Sequence, residues 1–589
     1  MAITPGVIFL ARMLPHILLP VLTSYTIHTS LKTWLDIHSS FLVNATSYIL
    51  SIPAVFYLRL YTQWLLKMRR AAAVGAELPP RLPSKLPLGL DNAKRLFESF
   101  SGEKYFFFYA LQNVNIYGAF EMGMLGEDRI FTADPEHIKL MLSTDFDGYE
   151  KGNSLHYISK SLLGNGVFNV DGDIWRFHRN MSRPFFTKDK IAHFDIFERH
   201  ADQLMSCIET RMRENVPIDW QELVYRFTLD SATEFLFGTD ANSLADPLSY
   251  PPSITGTNGN EYLPIEQNAF SRSFTKAILA TVLRVRFSAL WPLREITHDK
   301  VKVEMNDIDR YIEPIIKNAL ARHADKKAGN HQADYGDTLL DELVSATDDI
   351  QIIKEEVFNI LLAGRDTTAS ALTFAIYELT QHPEMLTQLR EEILNQVGKN
   401  RRPDYDDIKN MKYLRAFINE VLRLHPPVYA NVRYTKGERV WPSSPGKKPL
   451  YIPPRTRIHY SVFIMHRRKD LWGPDAWTFD PHRFLDERLN KYLLRNPFIF
   501  LPFNGGPRIC LGQQFAYNEM SYLLVRLLQR FSRFELCQAE ANPDSLPSAA
   551  YLQSIGCDGS DKIRMGAHLT MFAHGGLWVK MHEADNLSV

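Results

Sequence analysis

The sequence predicts a large, helix-rich globular domain that follows a hydrophobic N-terminal region. Two long apolar runs, residues 5–28 and 41–66, lie near the amino end, and each is long enough to cross a bilayer as a helix. Further along, residues 354–380 form a long apolar stretch, and apolar residues recur at three- and four-residue steps after Cys510. Because these spacings are typical of helices, the fold class is helix-rich behind a membrane anchor.

The composition limits the class of protein. Lys and Arg number 67, as do Asp and Glu, so no net charge favours binding to nucleic acid. Apolar residues make up 45% of the chain and aromatic residues 12%, which is enough for a large core. The cysteines are too few and too scattered for a disulfide framework, so we expect a reducing compartment. These cysteines are Cys207, Cys510, Cys537 and Cys557.

Residues 1–70 are predicted to be the membrane-anchor region. The run 41–66 ends in the sequence LysMetArgArg, whose positive charges would hold that end in the cytosol. The run 5–28 contains an arginine and two prolines, so it could span the membrane, re-enter it or lie in the interface. The side of the membrane on which Asn44 lies therefore stays open. Two buried core helices are the alternative interpretation of these runs.

The segment 71–90 is rich in prolines and basic residues, a composition typical of extended, semi-rigid linkers. It is predicted to be a hinge between the anchor and a catalytic domain at 91–589. Two polar stretches, residues 245–264 and 539–563, interrupt this domain and are predicted to be surface insertions.

The stretch FNGGPRICLG, residues 503–512, combines several features of a ligand-binding loop. Gly505 and Gly506 allow backbone angles that other residues avoid, and the proline after them fixes the next bend. Gly512 leaves space for a flat group near Cys510. Since a helix follows, its unpaired amides and dipole would favour the thiolate form of the cysteine. Such a thiolate could bind a metal or act as a nucleophile, and a buried inert cysteine is the structural alternative.

The predicted helix at 354–380 carries polar residues in its middle, AlaGlyArgAspThrThr at 363–368. The Thr367 hydroxyl can donate a hydrogen bond to the carbonyl of Ala363, and such a bond can open a local groove in the helix. With Asp366 beside it, the groove could hold a small diatomic ligand and supply protons. A solvated polar defect at a helix kink is the alternative.

Two further groups of residues share a helix face. Glu420 and Arg423 lie three apart, and Arg483 could join the same carboxylate and fix a loop to the helix as a structural triad. Trp175 and Arg179 lie four apart, so an indole N–H and a guanidinium could bind one anionic group. Taken alone, both spacings are also typical of ordinary surface or core helices.

Together and in this order, these stretches resemble the cytochrome P-450 superfamily of haem-thiolate monooxygenases over about residues 90–589. FNGGPRICLG matches the haem-binding loop of the family, AGRDTT its oxygen-activating helix and GluValLeuArg its Glu-x-x-Arg pair. The resemblance implies a mainly α fold with small β-sheets, built as one large catalytic domain. The sequence departs from many relatives at His482, where they have a glutamate before the last arginine of the triad.

The resemblance also implies roles for single residues. Cys510 would be the axial thiolate ligand of the iron in haem b, and Thr367 with Asp366 would relay protons to O2. Glu420, Arg423 and Arg483 would form the structural triad of the family. The other expected haem-binding residues, most of them donors to the haem propionates, are Trp175, Arg179, Arg433, Phe503, Arg508 and Gly512.

The activity that the resemblance implies is insertion of one oxygen atom from O2 into a lipophilic substrate, with electrons from NADPH. No flavin or nicotinamide fingerprint is evident in the sequence, so an NADPH-cytochrome reductase would be a separate partner, with cytochrome b5 as a further candidate. The reductase would dock near basic residues such as Arg176 or Lys188. An isomerase or dehydratase on the same fold is one alternative, although the intact Asp366–Thr367 pair argues against it. A haem-binding membrane protein without turnover is another.

Two stretches refine the resemblance. FDGYEKG at 146–152 and LLGNGVFNVDGDIW at 162–175 are similar to fungal membrane-bound hydroxylases of fatty acids and n-alkanes. Fungal relatives of this architecture also modify terpenoids and other secondary metabolites, so both substrate classes stay open. The expected location is the endoplasmic reticulum membrane, with the catalytic domain facing the cytosol.

Overall fold

Helices make up most of the structure, which is a computed structural model, and small β-sheets lie beside them. The predicted mainly α fold with small sheets is confirmed. The structure describes residues 3–100, 118–187, 194–256, 269–327, 338–443, 446–555 and 561–584. The helices in these ranges are α1 (Pro5–Leu35), α2 (Phe41–Ala73), α3 (Leu90–Phe100), α4 (Pro135–Lys139), α5 (Asn153–Leu163), α6 (Gly172–Ser182), α7 (Asp195–Arg213), α8 (Trp220–Phe237), α9 (Pro252–Thr255), α10 (Ala269–Phe287), α11 (Lys300–Lys327), α12 (Leu339–Ala346), α13 (Ile350–Gln381), α14 (Pro383–Gln396), α15 (Tyr405–Asn410), α16 (Lys412–Leu424), α17 (Val462–Met465), α18 (Lys469–Trp472), α19 (Gln513–Arg530), α20 (Gln538–Ala541) and α21 (Ala549–Ile555).

The strands form four small sheets among the described residues. The largest has the order β1-β2-β8-β5-β3, in which β2 and β8 are parallel and the other neighbours antiparallel. The others have the orders β4-β12-β9, β10-β11 and β6-β7. The strands are β1 (Ala119–Met124), β2 (Glu127–Thr132), β3 (Tyr149–Glu150), β4 (Ile218–Asp219), β5 (Asn431–Thr435), β6 (Arg439–Trp441), β7 (Leu450–Ile452), β8 (Arg457–Tyr460), β9 (Phe531–Leu536), β10 (Met565–Ala567), β11 (Met571–Ala573) and β12 (Trp578–Glu583).

Helix α13 crosses the core and contains the predicted helix at 354–380. It begins after Asp349, whose side chain accepts hydrogen bonds from two amides of the first turn. Every side chain from residue 368 to 379 is buried, and Trp220 of α8 donates its indole N–H to the Leu372 carbonyl at 3.0 Å. The polar residues at 363–368 therefore precede the most deeply buried part of the helix.

Helix α19 follows the glycine-rich loop, as the spacing of apolar residues predicted. Its N-cap is Gly512, and its side chains from Tyr517 to Val525 are all buried. It packs against α13, α14 and α7. The loop that carries Cys510 is therefore attached directly to an element of the core.

Helices α1 and α2 contain the two apolar runs of the N-terminal region. Each is long and apolar enough to cross a membrane, and 11% and 0% of their most apolar windows are buried. Both extend beyond the predicted runs, to Leu35 and Ala73. The alternative interpretation as two buried core helices is therefore wrong, because most of their large apolar side chains are exposed.

The middle of the proline-rich segment 71–90, which we predicted to be a hinge, is bonded to the domain. The Glu77 amide donates to the Pro449 carbonyl at 2.9 Å, and the Glu77 carbonyl accepts from Tyr451 at 2.7 Å. Five residues later, the Leu82 amide donates to the Glu121 carbonyl at 2.8 Å. Its backbone groups at Glu77 and Leu82 therefore have partners at two sheet edges of the domain.

The segment 539–563, which we predicted to be a surface insertion, is mostly exposed where the structure describes it. A few of its side chains are nevertheless buried: Tyr551 and Ile563 are fully buried, and the Asn542 side chain donates to the Gly575 carbonyl at 2.9 Å. These contacts attach the segment to the core, because its polar side chains also bond to buried backbone groups. The other predicted insertion, residues 245–264, lies only partly within the described residues, which end at residue 256 in this region.

Candidate functional site

The glycine-rich loop is held as a tight turn around Cys510. The Cys510 amide donates to the Phe503 carbonyl at 3.0 Å. Gly506 has φ 65°, and a Cβ there would lie 1.6 Å from the Leu142 carbonyl oxygen, so only glycine fits. Gly505 has an extended φ of −154°, so its backbone conformation does not require glycine, contrary to our expectation.

Cys510 is an exposed residue, although protein atoms surround its thiol closely. Burial by surrounding protein atoms raises its pKa, while a hydrogen bond from the Gly512 amide and the charge of Arg179 act in the opposite direction. The predicted stabilisation of the thiolate at the helix N-terminus is therefore present, but burial has the larger effect on the pKa of the thiol. A bound metal deprotonates a coordinating thiol outright, so this shift does not oppose metal ligation. Among the described residues, no group of three or more His, Cys, Asp or Glu side chains forms an alternative metal site.

Three of the predicted propionate donors lie together beside this loop. Trp175 and Arg179 lie on α6, and the Arg508 guanidinium lies 4.5 Å from the centroid of the Trp175 ring. Arg179 donates to the Ile509 carbonyl at 2.9 Å, which places its guanidinium next to Cys510. The structure therefore brings an indole and two guanidinium groups to the same side of the cysteine loop.

A carboxylate that sequence reasoning missed holds this group in place. Asp171 accepts hydrogen bonds from the amides of Lys151 and Gly152 at 2.9 and 3.1 Å. It also binds the Arg508 guanidinium at 2.7 Å. The available signal was its position at the N-cap of α6, where the side chain makes no capping bond and turns to the loop instead.

Two more cations approach the same place. Arg433 on β5 is 2% exposed, and its Nε and Nη2 atoms are buried without a hydrogen-bond partner. The pKa of Lys151 is lowered to about 7 by burial and by the charges of Arg433 and Arg508, which Asp171 does not cancel. Lys151 is therefore a second residue that sequence reasoning missed, although it lies within the FDGYEKG stretch.

These residues fit a haem. The two propionates of the haem would give partners to the unpaired donors of Arg433. Their negative charges would also offset the repulsion between Arg433, Arg508 and Lys151. The single cysteine thiol is the donor that a thiolate-ligated iron requires. A Cβ at Gly512 would lie 4.0 Å from the Cys510 sulfur, an ordinary contact distance, so the space beside the sulfur does not by itself require glycine.

The polar residues of α13 adopt the predicted local geometry. The Thr367 hydroxyl donates to the Ala363 carbonyl at 2.6 Å, within a helix that runs without interruption from Ile350 to Gln381. The hydroxyl oxygen still has lone pairs that can accept a hydrogen bond. Asp366 is buried, with its carboxylate 3.7 Å from the Arg365 guanidinium. The pair therefore supplies a hydroxyl and a carboxylate one residue apart on a rigid helix.

The three residues of the expected triad meet in the core. Arg423 binds Glu420 through two bonds of 2.6 and 2.7 Å, and Arg483 Nε lies 3.5 Å from the same carboxylate. All three are at most 1% exposed. His482 is exposed and takes no part, so the departure at this position does not disturb the triad.

A second buried contact, between α6 and α13, was also missed. His178 Nδ1 lies 2.9 Å from Glu356 Oε2, and Ser182 donates to Oε1 of the same carboxylate at 2.8 Å. Because Trp175 and Arg179 lie on the same helix as His178, this contact sets their position relative to the polar residues of α13. The signal available in the sequence was Glu356, a charged residue within the stretch 354–380.

Of the two basic residues expected to face a reductase, only Arg176 can be placed. It is exposed, and it donates to Asp173 at 2.7 Å and lies 3.9 Å from Asp147. Its charge is therefore shared with two carboxylates. Lys188 lies outside the described residues.

Comparison with known proteins identifies the class. The family model described as Cytochrome P450 matches residues 101–555, more than half of the chain. The protein is thus an oxidoreductase of the haem-thiolate class, whose members bind haem through a cysteine and use O2 with electrons derived from NADPH. The chain belongs to the cytochrome P-450 family.

Three similar relatives are fungal proteins. The chain is 34% identical to Cytochrome P450 monooxygenase pvhE of Talaromyces variabilis, over 86% of this chain and 90% of that protein. It is 33% identical to Cytochrome P450 52-E3 of Starmerella bombicola, over 86% and 93% of the two chains. It is 39% identical to Cytochrome P450 monooxygenase himC of Aspergillus japonicus, over 69% of each chain.

Replacement of Arg433 by leucine is expected to weaken haem retention. Charge-assisted hydrogen bonds contribute about 1.5–3 kcal/mol each, so loss of one should speed haem release by roughly 10- to 100-fold. The measurement is the rate of haem transfer to an excess of an apo-haem-protein acceptor. Arg433→Lys keeps the charge and should restore most of the retention. Equal rates for wild type and Arg433→Leu would remove this residue from the propionate site.

Proposed function

We propose that this chain is a membrane-bound monooxygenase that inserts one oxygen atom from O2 into a lipophilic substrate. The observation that carries the proposal is the convergence of the Cys510 loop with the surrounding group of cations and the unpaired donors of Arg433. Membership of the family supplies the reaction class, and the intact Thr367–Asp366 pair supports oxygen chemistry over isomerisation.

When bound, haem supplies the iron at which O2 is activated, and a thiolate ligand favours cleavage of the O–O bond. Cys510 would be that ligand, with the amide of Gly512 donating to its sulfur and tempering the charge. The propionates would be held by Arg433, Arg508 and the α6 residues Trp175 and Arg179. Phe503 and Gly512 would shape the loop that faces the porphyrin. The triad would act as a structural support.

Thr367 and Asp366 would deliver protons. The hydroxyl is held by its bond to the Ala363 carbonyl, so its position on the helix is fixed, and it can accept a proton from a water and pass its own on. The buried carboxylate of Asp366 lies next to it in the chain and would resupply protons from the interior side. Together they would hold a hydroxyl and a carboxylate one residue apart on α13.

The substrate that we favour is a fatty acid or alkane, with a terpenoid secondary metabolite as the second candidate. The stretches 146–152 and 162–175 support the first choice through their resemblance to fungal hydroxylases of such chains. The two exposed apolar helices are consistent with either substrate class, since both kinds of molecule partition into a bilayer. A binding screen for spectral shifts of the purified protein with fatty acids, alkanes and terpenes decides between them.

Electrons would come from NADPH through a membrane-bound cytochrome reductase, with cytochrome b5 as a second donor. The reductase would approach the side of the cysteine loop where α6 presents Arg176. The protein would lie in the endoplasmic reticulum membrane, with residues 1–70 as anchor and the catalytic domain in the cytosol. Product formation that depends on NADPH, reductase and O2 would separate this activity from an isomerase, a dehydratase or a haem-binding protein without turnover.

Replacement of Thr367 by alanine is expected to uncouple NADPH consumption from product formation. A positioned proton donor contributes about 10²-fold or more to a rate, so product should fall by roughly that factor while NADPH is still consumed. Thr373 is the matched control, because it makes the same bond to the carbonyl four residues earlier, at 2.8 Å, on the same helix. Thr373→Ala should stay coupled. Fully coupled hydroxylation by Thr367→Ala would exclude this residue from the proton relay.

A further inference from the structure

The two anchor helices pack side by side in opposite directions. The Ser47 hydroxyl of α2 lies 2.7 Å from His28 Nε2 and 3.4 Å from the Ser24 hydroxyl, both on α1. The His28 ring also contacts Tyr48 edge-on, with 5.7 Å between centroids. Hydrogen bonds between helices are a known source of association in lipid, where the hydrophobic effect does not drive packing. The pair is therefore joined at the end where the chain turns.

At the opposite end, both helices contact the catalytic domain. At the start of α1, the Thr4 hydroxyl donates to the Ile296 carbonyl at 2.6 Å, and the Gly6 amide donates to the Glu295 carbonyl at 3.1 Å. A Cβ at Gly6 would lie 2.6 Å from the Ile296 Cα, so this approach depends on glycine. At the end of α2, Lys67 binds the Asp128 carboxylate at 2.8 Å. Both termini of the hairpin are thus attached to the same body.

Each of the two helices contains an apolar stretch long enough to cross a bilayer. Residues 7–25 of α1 and 48–66 of α2 contain 19 residues each. At 1.5 Å per residue this is about 28 Å, close to the hydrocarbon thickness of a bilayer, about 30 Å. Because the helices are antiparallel and paired at Ser47, these two stretches lie beside each other, and one bilayer would cover both.

The distribution of charge agrees with this arrangement. Arg12 and Arg59 lie in the halves of the apolar stretches nearer the domain, and Arg12 lies 5.8 Å from the ring of Tyr157. Such long side chains can keep the charge at the interface. The stretch 28–47, which includes the connection between the two helices, contains one lysine and one aspartate, Lys32 and Asp36. The basic residues at the domain end are Arg12, Arg59, Lys67, Arg69 and Arg70.

We propose that α1 and α2 cross the membrane as a two-span hairpin, so that the amino end returns to the same side as the catalytic domain. The polar turn at 28–47 lies on the opposite side. The acceptor sequence Asn44-Ala45-Thr46 lies in that turn and therefore faces away from the domain. The partner of this surface is the bilayer, and the excess of basic residues places the domain end in the cytosol. This inference does not depend on the chemistry proposed above.

Protease protection of tagged full-length protein tests the topology. Three variants carry an epitope tag at the amino end, between His38 and Ser39, or at the carboxyl end. Each variant is checked for the absorption of intact holoprotein and then digested in sealed vesicles from the endoplasmic reticulum. We expect loss of the amino and carboxyl tags and full protection of the tag in the turn. Detergent should expose all three.

The proposal requires the amino and carboxyl tags to behave alike and the tag in the turn to behave oppositely, whichever way the domain faces. A protected amino tag with a digested carboxyl tag would mean that only one helix crosses, and would overturn the hairpin. Digestion of the tag in the turn together with both ends would mean that the pair lies on the outer surface, which also overturns it. Neither result would change the haem absorption, so the failure of this inference is distinguishable from failure of the proposed function.

Discussion

Cys510→Ala protein is expected to lose the red-shifted Soret band of the reduced carbon-monoxide complex and all monooxygenase activity. Cys510 would be the thiolate that holds the haem iron, because its loop is fixed by the bond from its amide to the Phe503 carbonyl and the residue is exposed beside the cation group. Alanine provides no ligand for iron. The measurement is the difference spectrum of the reduced protein with and without carbon monoxide.

Two further variants make this result specific. Cys510→His can still bind iron through imidazole, so it should retain haem but lack the thiolate band. Cys207→Ala is the matched control, since Cys207 is a half-buried thiol in contact with the Leu244 carbonyl, and it should keep both band and activity. A normal thiolate band in Cys510→Ala would refute the assignment of the ligand.

Arg423→Leu protein is expected not to accumulate as folded holoprotein. Arg423 makes two bonds to Glu420 and donates to the carbonyls of His466 and Ala476, at 2.7 and 2.6 Å. Removing one partner of a buried pair costs about 3–5 kcal/mol, because the other charge stays buried. This is a large part of the total stability of a typical domain, about 5–15 kcal/mol. The readouts are the yield of haem-containing protein and the midpoint of thermal unfolding.

The control is an ion pair with the same spacing on the surface. Arg310 binds Asp307 at 2.6 Å, three residues earlier on α11, and its side chain is 77% exposed. Exposed pairs contribute at most about 1 kcal/mol, so Arg310→Leu should fold normally. If Arg423→Leu and Arg310→Leu unfold at the same temperature as the wild type, the triad is not the support that its burial indicates.

The parts of the site that could be predicted from sequence are those fixed by neighbours in the chain. The bond from Thr367 to the Ala363 carbonyl spans one helical turn, so the residue types and their spacing define it. The start of α19 after Cys510 is also local, because apolar periodicity marks the helix and glycine marks its beginning. The triad needs a partner from a distant loop, so local spacing could offer Arg483 only as a candidate, and the family resemblance strengthened that choice.

What could not be predicted depends on contacts between segments far apart in the chain. Asp171 reaches Arg508 across 337 positions, and His178 approaches Glu356 from another helix. No periodicity or local spacing encodes such pairs. The burial of Tyr551 within a polar segment was missed for a different reason, since polar residues there bind buried backbone groups.

The carboxylate of Asp171 has a consequence for biogenesis. It joins the backbone at residues 151–152 to a guanidinium contributed near the end of the chain. During synthesis the hydrophobic helices leave the ribosome before Asp171, and Arg508 emerges only 337 residues after it. The anchor would therefore reach the membrane before the cradle for the prosthetic group can close.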